Sequence, residues 1–248
     1  MHEKNAKIIS LVPSWTETFA EAGLNIVGRT AYCLYPPSMA HVPVVGGTKN
    51  MKIKEIESLR PDFVILDQEE NKKEMAEALQ KIGIELLVSK VRSLESAAEF
   101  LDSCGQRFQN AELTDWADIY RSIHHTRHLI SKEKFYSGMT IRKNSEPLEG
   151  DRIEYVIWKN PSMVIGRETF IADVLSLAGL ELSRPEKYPV VEETEIKKNY
   201  CLFSSEPYDF AKKFTELTQQ GWRGALVDGE KVSWYGLRNL RFLQSSLR

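Results

Sequence analysis

NAELTDWADIYRSIHHTRHLIS, residues Asn110–Ser131, stands between two halves of the chain that repeat one pattern. Its apolar residues Leu113, Trp116, Tyr120, Ile123 and Ile130 follow at steps of three, four, three and seven. That is the period of a helix with one apolar face. Over its full length such a helix runs roughly 30 Å, about the diameter of a small domain. Before it lies Ile8–Leu24, IISLVPSWTETFAEAGL, and after it Ile153–Leu180, IEYVIWKNPSMVIGRETFIADVLSLAGL. Each carries a β-rich run, a Pro-containing loop, a Glu-Thr pair opening an apolar-striped segment, and a closing Ala-Gly-Leu. The expected architecture is α/β with two lobes, residues 1–109 and 132–248, each with a largely parallel sheet flanked by helices. The helix over 110–131 joins them.

The bulk composition narrows the function. At 248 residues the chain has room for one large domain or two ordinary lobes. With 42% hydrophobic and 27% charged residues it is globular. A net charge of −2 gives no polyanion-binding surface, so nucleic acid is not an expected partner. Cys33, Cys104 and Cys201 lie far apart and are odd in number, which excludes a complete disulfide framework and fits a reducing compartment. The opening MHEKNAK is polar and runs straight into a strand, with no signal-like apolar stretch. No apolar run reaches the ~18 residues that a membrane helix needs. The expectation is a cytoplasmic protein not inserted in a membrane, or a periplasmic one whose leader has been removed.

Along the first half, apolar runs at Lys7–Val12, Ile26–Arg29, Pro61–Leu66 and Glu85–Val88 read as strands alternating with helices. That alternation argues for a parallel sheet. Ser14-Trp-Thr-Glu17 reads as a capping box at a helix start. In the second half Ile153–Trp158, Tyr200–Ser204 and Ala225–Val227 read as strands, and Thr169–Leu177, Tyr208–Gln219 and Leu237–Leu247 as helices. Phe135–Asp151 is polar with glycines at both ends and reads as an exposed loop or ragged hairpin. Ligands of such sheets sit outside the carboxyl ends of the strands. The rule gathers Pro13–Trp15, Tyr32–Tyr35, Thr48–Asn50 and Glu69–Asn71 on one lobe. On the other it gathers Trp158–Met163, Ser205–Pro207 and Ser233–Arg238. Facing edges would make a binding cleft.

The motifs themselves are specific. IISLVPSWTE, the TAYCLYPP loop, VGGTKN before a short helix, RPDFVIL, and WYGLR near the end resemble the vitamin B12 and iron-siderophore type (helical-backbone, class III) of periplasmic solute-binding protein. The resemblance runs from Lys7 to about Phe242 and is nearest to a branch marked by VGGTKN, EEN, a Trp-x-x-Pro loop and SSEP, whose members commonly lack an export signal. It implies two lobes on one connecting helix and service to an ABC importer. In the B12-binding members aromatic side chains from both lobes sandwich the corrin ring, and Tyr35 and Trp158 stand at matching positions. Two further Trp positions of that family are occupied here by Thr48 and Asp67. A carboxylate on each lobe docks those receptors to the importer; the first-lobe position here is Lys54, with Glu55 beside it.

The candidate ligand-binding residues are Ser14, Trp15, Tyr32, Tyr35, Thr48, Lys49, Asn50, Glu70, Trp158, Met163, Arg167, Glu206, Trp234, Tyr235 and Arg238. The aromatics would stack a flat ligand; the competing reading is that some pack lobe against lobe. Lys49, Arg167 and Arg238 would hold carboxylates or phosphates, or else pair with Glu69, Glu70, Glu168 and Glu206. His124 and His128 lie one helical turn apart, and a solvated helix face is the expectation rather than a metal site. Cys33 is expected to pack. There is no phosphate-cradling GxxxxGK[ST] and no GxSxG turn. The sequence therefore reads as a binding protein without catalytic residues, metal or cofactor. It is expected to be a monomer taking a metal-chelate, corrinoid-like or siderophore-like small molecule, with an ABC importer as its partner. The alternative is a cytosolic enzyme or carrier domain reusing the scaffold.

Overall fold

Phe63–Asp67 is apolar at four of five positions and buried at all five. A strand buried on both faces is what a parallel sheet covered by helices demands. In the computed structural model, which describes residues 5–248, it is the third strand of the first sheet. Met1–Lys4, the start of the polar segment read above as leaderless, lie outside the described residues.

The chain divides into two compact units. The first takes residues up to Val91, Glu95–Ser122 and Tyr235–Arg238; the second takes Arg92–Leu94, Ile123–Trp234 and Asn239–Arg248. The first unit alternates β1 (Ile8–Ser10), α1 (Pro13–Glu21), β2 (Ile26–Arg29), α2 (Ile53–Leu59), β3 (Phe63–Asp67), α3 (Lys73–Lys81) and β4 (Glu85–Ser89). Then come α4 (Leu94–Phe108) and α5 (Ala111–His125). Its four strands lie in the order β2-β1-β3-β4, all parallel. Ile9, Leu11, Val64 and Leu66 share one face by the two-residue period and pack on Ile56, Met75 and Leu79 of α2 and α3. An aromatic layer holds Trp15, Phe19, Phe100, Phe108 and Phe63, with ring centroids 4.9 to 6.4 Å apart.

Two expectations about this half are corrected. The helix foreseen over 110–131 ends at His125; a 3₁₀ turn, Arg127–Leu129, follows, and Ile130 bridges to Leu247. Thr126 has left helical geometry, and Ser131 starts a new helix by accepting the Lys134 amide. A single helix therefore does not run through both positions. The capping box at Ser14 is also absent. Val12 is the N-cap without a side-chain bond, and Pro13 opens α1, where its preset φ and missing N–H fit. Ser14 is thus displaced into the first turn.

The second unit contains α6 (Lys132–Met139), β5 (Thr140–Lys143), β6 (Ile153–Trp158), β7 (Met163–Ile165), α7 (Phe170–Ser176) and α8 (Glu193–Ile196). It continues with β8 (Tyr200–Ser204), α9 (Phe210–Gln219), β9 (Gly224–Val227), α10 (Gly229–Ser233) and α11 (Leu237–Ser245). Its sheet runs β5-β9-β8-β6-β7, with β9, β8 and β6 parallel and an antiparallel strand at each edge. Thr169, Asp209 and Asp228 each accept the amide three residues on and so start α7, α9 and α10. The first half of the loop expected over Phe135–Asp151 is instead the end of α6 and β5. Phe135 and Met139, one helical turn apart, are fully buried, and β5 exists because β9 offers it an edge. No helix among the described residues is long and apolar enough to cross a membrane.

Candidate functional site

In the first unit the carboxyl ends of β1, β3 and β4 are tied into one polar network. The Trp15 indole Nε1 donates to the Ser89 hydroxyl at 2.9 Å, and that hydroxyl donates to the Asp67 carboxylate at 2.6 Å. The other Asp67 oxygen accepts the amides of Glu69 and Glu70 at 2.8 and 3.2 Å. A buried carboxylate needs such donors, and here local backbone supplies most of them. Asn71 clamps three segments. Its amide nitrogen donates to Leu11 O and Thr48 O, and its side-chain oxygen accepts the Asp67 amide. Lys49 Nζ donates to Glu69 O at 2.8 Å. Asn50 closes its own turn by accepting the Gly47 amide on both its main-chain and side-chain oxygens. Gly46 permits that turn: at φ +130° a Cβ would lie 2.5 Å from Asn50 O.

A second cluster joins α1, the loop after β2, and the Tyr235–Arg238 segment. Arg238 Nε and Nη2 donate to the two Glu17 carboxylate oxygens at 2.8 and 2.9 Å. The same guanidinium lies 4.0 Å from the Tyr35 ring centroid. Tyr235 stacks against Trp15 at 4.9 Å. Burial pushes its hydroxyl well above the usual range, with Asp67 and Glu70 adding to the push. Glu70 itself reaches solvent. The protein around it raises its carboxyl, Lys49 opposes, and Asp67 and Glu69 add; contact with water screens part of that rise.

The expected ligand set therefore separates. Trp15 is wholly buried, and Ser14 and Tyr235 are buried as well. Arg238 takes an acid-pairing role, and Glu17 is a partner that the sequence reading does not name. Tyr32 and Tyr35 remain at the surface, 63% and 39% exposed. A pocket of about 410 Å³ is lined by Leu66, Asp67, Gln68, Asn71, Lys72, Lys73, Ala76 and Val88. None of the candidate ligand-binding residues lines it, but Asn71, which the strand-end rule gathers, and Asp67 do.

In the second unit Trp158 ends β6, is 41% exposed, and meets Tyr208 edge-on at 5.5 Å. Met163 opens β7 half-buried, and Glu206 and Trp234 are half-buried as well. Arg167 is exposed and its Nε donates to Leu182 O at 3.4 Å. His124 lies in the last turn of α5 and His128 in the 3₁₀ turn, so they do not share a helix face. No group of three metal-ligating side chains occurs among the described residues. Cys33 is buried between the hydroxyls of Thr16 and Thr30 at 2.9 and 3.1 Å, a packing role; burial raises its thiol.

No family model matches the chain. The vitamin B12-binding protein of Vibrio cholerae serotype O1 is 24% identical over 207 residues, covering 81% of this chain and 70% of that one. Among solved structures, the periplasmic vitamin B12 binding protein BtuF of Vibrio cholerae superposes with a TM-score of 0.70 at 20% identity, over 97% of this chain and 94% of that one. A periplasmic heme binding protein from Pseudomonas aeruginosa gives 0.75 at 17% identity, over 97% and 91%. The fold is that of a class III solute-binding protein. The cytoplasmic expectation finds no support among these relatives.

Within this class III fold, Glu17 and Ser89 are the residues that sequence reading missed. Glu17 reads as part of a cap that does not form, and Ser89 carries no motif of its own. One signal was available: WYGLR sets Arg238 close to two aromatics, and a partner for it could have been sought in the first helix.

Proposed function

We propose that the chain is the solute receptor of an ABC importer and binds a ring-bearing or metal-chelate small molecule. Tyr35 and Trp158 carry this reading. Both are large aromatic side chains left at the surface beside a strand's carboxyl end, where ligands of α/β sheets bind. Both occupy positions that the resemblance assigns to the corrin sandwich. An exposed aromatic face of this kind offers stacking area at little conformational cost.

Tight cobalamin binding is not part of the proposal. Thr48 and Asp67 stand where two further aromatic walls would be. Each well-made aromatic contact is worth about 1 kcal/mol beyond burial, so their absence costs about 2 kcal/mol, over tenfold in affinity. Asp67 is 3% exposed and bound to two amides and Ser89, so it offers a ligand little surface.

Native mass spectrometry and the absorption spectrum of the protein as purified come first, then calorimetric titration with haemin and cyanocobalamin. The expected result is a co-purified chelate or haemin binding, with cyanocobalamin weaker than micromolar. Sub-micromolar cyanocobalamin removes the specificity claim; neither probe binding and no co-purified molecule removes the receptor claim. The importer role also places the protein outside the cytoplasmic membrane as a monomer, which host fractionation and light scattering test.

A further inference from the structure

β4 is an edge strand of the first sheet, and α3 does not cover all of it. Leu66 and Val88 are paired in the β3–β4 register, so both face the same side of the sheet. Met75 and Leu79 of α3 close over Leu66 in the core, whereas Val88 stays 43% exposed. That difference leaves the pocket of about 410 Å³. Its apolar lining is Leu66, Ala76 and Val88, and its exposed polar lining is Gln68, Lys72 and Lys73. Small-molecule sites have this volume and this division between an apolar base and a few polar groups. The carboxyl ends of strands are where such sites form in α/β sheets.

The charges indicate what it would hold. Asp67 also lines the pocket, but one of its oxygens accepts the Glu69 and Glu70 amides and the other the Ser89 hydroxyl. Lys73 reaches Glu77 at 3.3 Å, yet the two side chains are 85% and 50% exposed, so water largely screens that pair. Lys72 makes no side-chain hydrogen bond or ion pair among the described residues, and neither does Gln68. Glu69, Glu70, Glu74 and Glu77 belong to the same segment without lining the pocket; they temper the field of the lysines but do not pair with Lys72. The groups left to meet a ligand are chiefly donors set over an apolar base.

We propose that this pocket, between α3 and the carboxyl ends of β3 and β4, binds a compact organic acid. The apolar body of the acid lies on Leu66, Ala76 and Val88, and its carboxylate meets Lys72. The site rests neither on Tyr35 nor on Trp158 being a ligand wall, so it stands or falls apart from the receptor reading.

1-Naphthoate and 1-naphthamide make the matched probes, since they share one ring system and differ in charge. Each is titrated into full-length protein carrying ¹³C-labelled Ala, Leu and Val methyls. The Val88 methyls are assigned by their loss in Val88→Ile, and those of Leu66 and Ala76 likewise from Leu66→Ile and Ala76→Ser. Naphthoate is expected to move the methyls of all three residues saturably, and to bind more tightly than naphthamide. Lys72→Gln changes an exposed side chain and keeps the fold. It is expected to weaken naphthoate about fourfold, the Coulomb energy of one solvated cation roughly 5 Å from a carboxylate, with a smaller effect at high salt. Naphthamide should be unaffected by it. Ala76→Leu fills the pocket and is expected to abolish binding of both probes. Should that variant fold poorly, the Lys72→Gln comparison still decides. Shifts that never saturate, or that miss Leu66, Ala76 and Val88, overturn the site. Naphthamide binding as tightly as naphthoate, or naphthoate indifferent to Lys72→Gln, overturns the acid as its occupant. The haemin and cyanocobalamin titrations report on the receptor reading by themselves, so failure of one claim is not failure of the other.

Discussion

Removing one oxygen atom, by Tyr120→Phe, is expected to destabilise the first unit more than most whole-side-chain truncations at its surface. The Tyr120 hydroxyl is fully buried and makes two bonds to one residue: it donates to Gly236 O at 2.8 Å and accepts the Gly236 amide at 3.0 Å. Burial holds the hydroxyl far above its usual titration range, so it stays neutral and serves both partners at any working pH. Phenylalanine fits the same space but leaves a buried amide and a buried carbonyl facing carbon. Each orphaned group costs about 1–3 kcal/mol, so the variant should lose about 2–6 kcal/mol against the 5–15 kcal/mol typical of a domain. Urea unfolding followed by two probes measures it and checks that one transition is being scored. Hydrogen exchange at the Gly236 amide reports the site itself and should speed up. Tyr32→Phe, at a residue 63% exposed, is the control and should stay within about 0.5 kcal/mol. A Tyr120→Phe variant as stable as that control, with the Gly236 amide still protected, would refute the two-bond account.

Gly236→Ala attacks the same segment sterically: at φ +93° its Cβ would lie 2.2 Å from Thr18 Oγ1, so a loss of at least about 2 kcal/mol is expected. Gly23→Ala, at φ +73° but with open space around it, should cost only about 1 kcal/mol. For the thiols, Cys33, Cys104 and Cys201 are all buried, and burial pushes Cys104 and Cys201 up to about 12. A disulfide reagent at pH 8 should find no fast thiol in the native protein and three after denaturation; one stoichiometric fast reaction contradicts the burial. For acid stability, the Arg223 guanidinium, and then the Leu148 amide, hold the Asp151 carboxyl below its ordinary value. A depressed carboxyl stabilises fully above its unfolded value, near 3.8, and that stabilisation fades as pH falls through the folded one. Arg223→Gln should therefore lower Tm at neutral pH, with the gap to wild type closing below about pH 4; a gap that stays constant on acidification counts against the pairing.

Phe63–Leu66 and Tyr200–Ser204 announce themselves as strands because a strand covered on both faces must be apolar throughout, and that constraint is written in consecutive residues. The strand–helix alternation of the first 105 residues likewise implies the parallel sheet, and the motifs from IISLVPSWTE to WYGLR imply the class III fold. Tertiary structure decided what those motifs do. Trp15 follows a strand end, where sequence expects a ligand wall. Its indole instead donates to Ser89, 74 residues away, and its ring meets Tyr235 from the far end of the chain. Glu17 reads locally as half of a capping box, yet its carboxylate closes on Arg238 across 221 residues. The polar stretch around Thr140–Lys143 has no strand pattern of its own and becomes β5 only because β9 leaves an edge unpaired. Period and capping propensity are carried by neighbours along the chain, so sequence displays them. Whether an aromatic or a charge faces solvent depends on which distant side chain arrives to cover it, and that is settled only when the chain has packed.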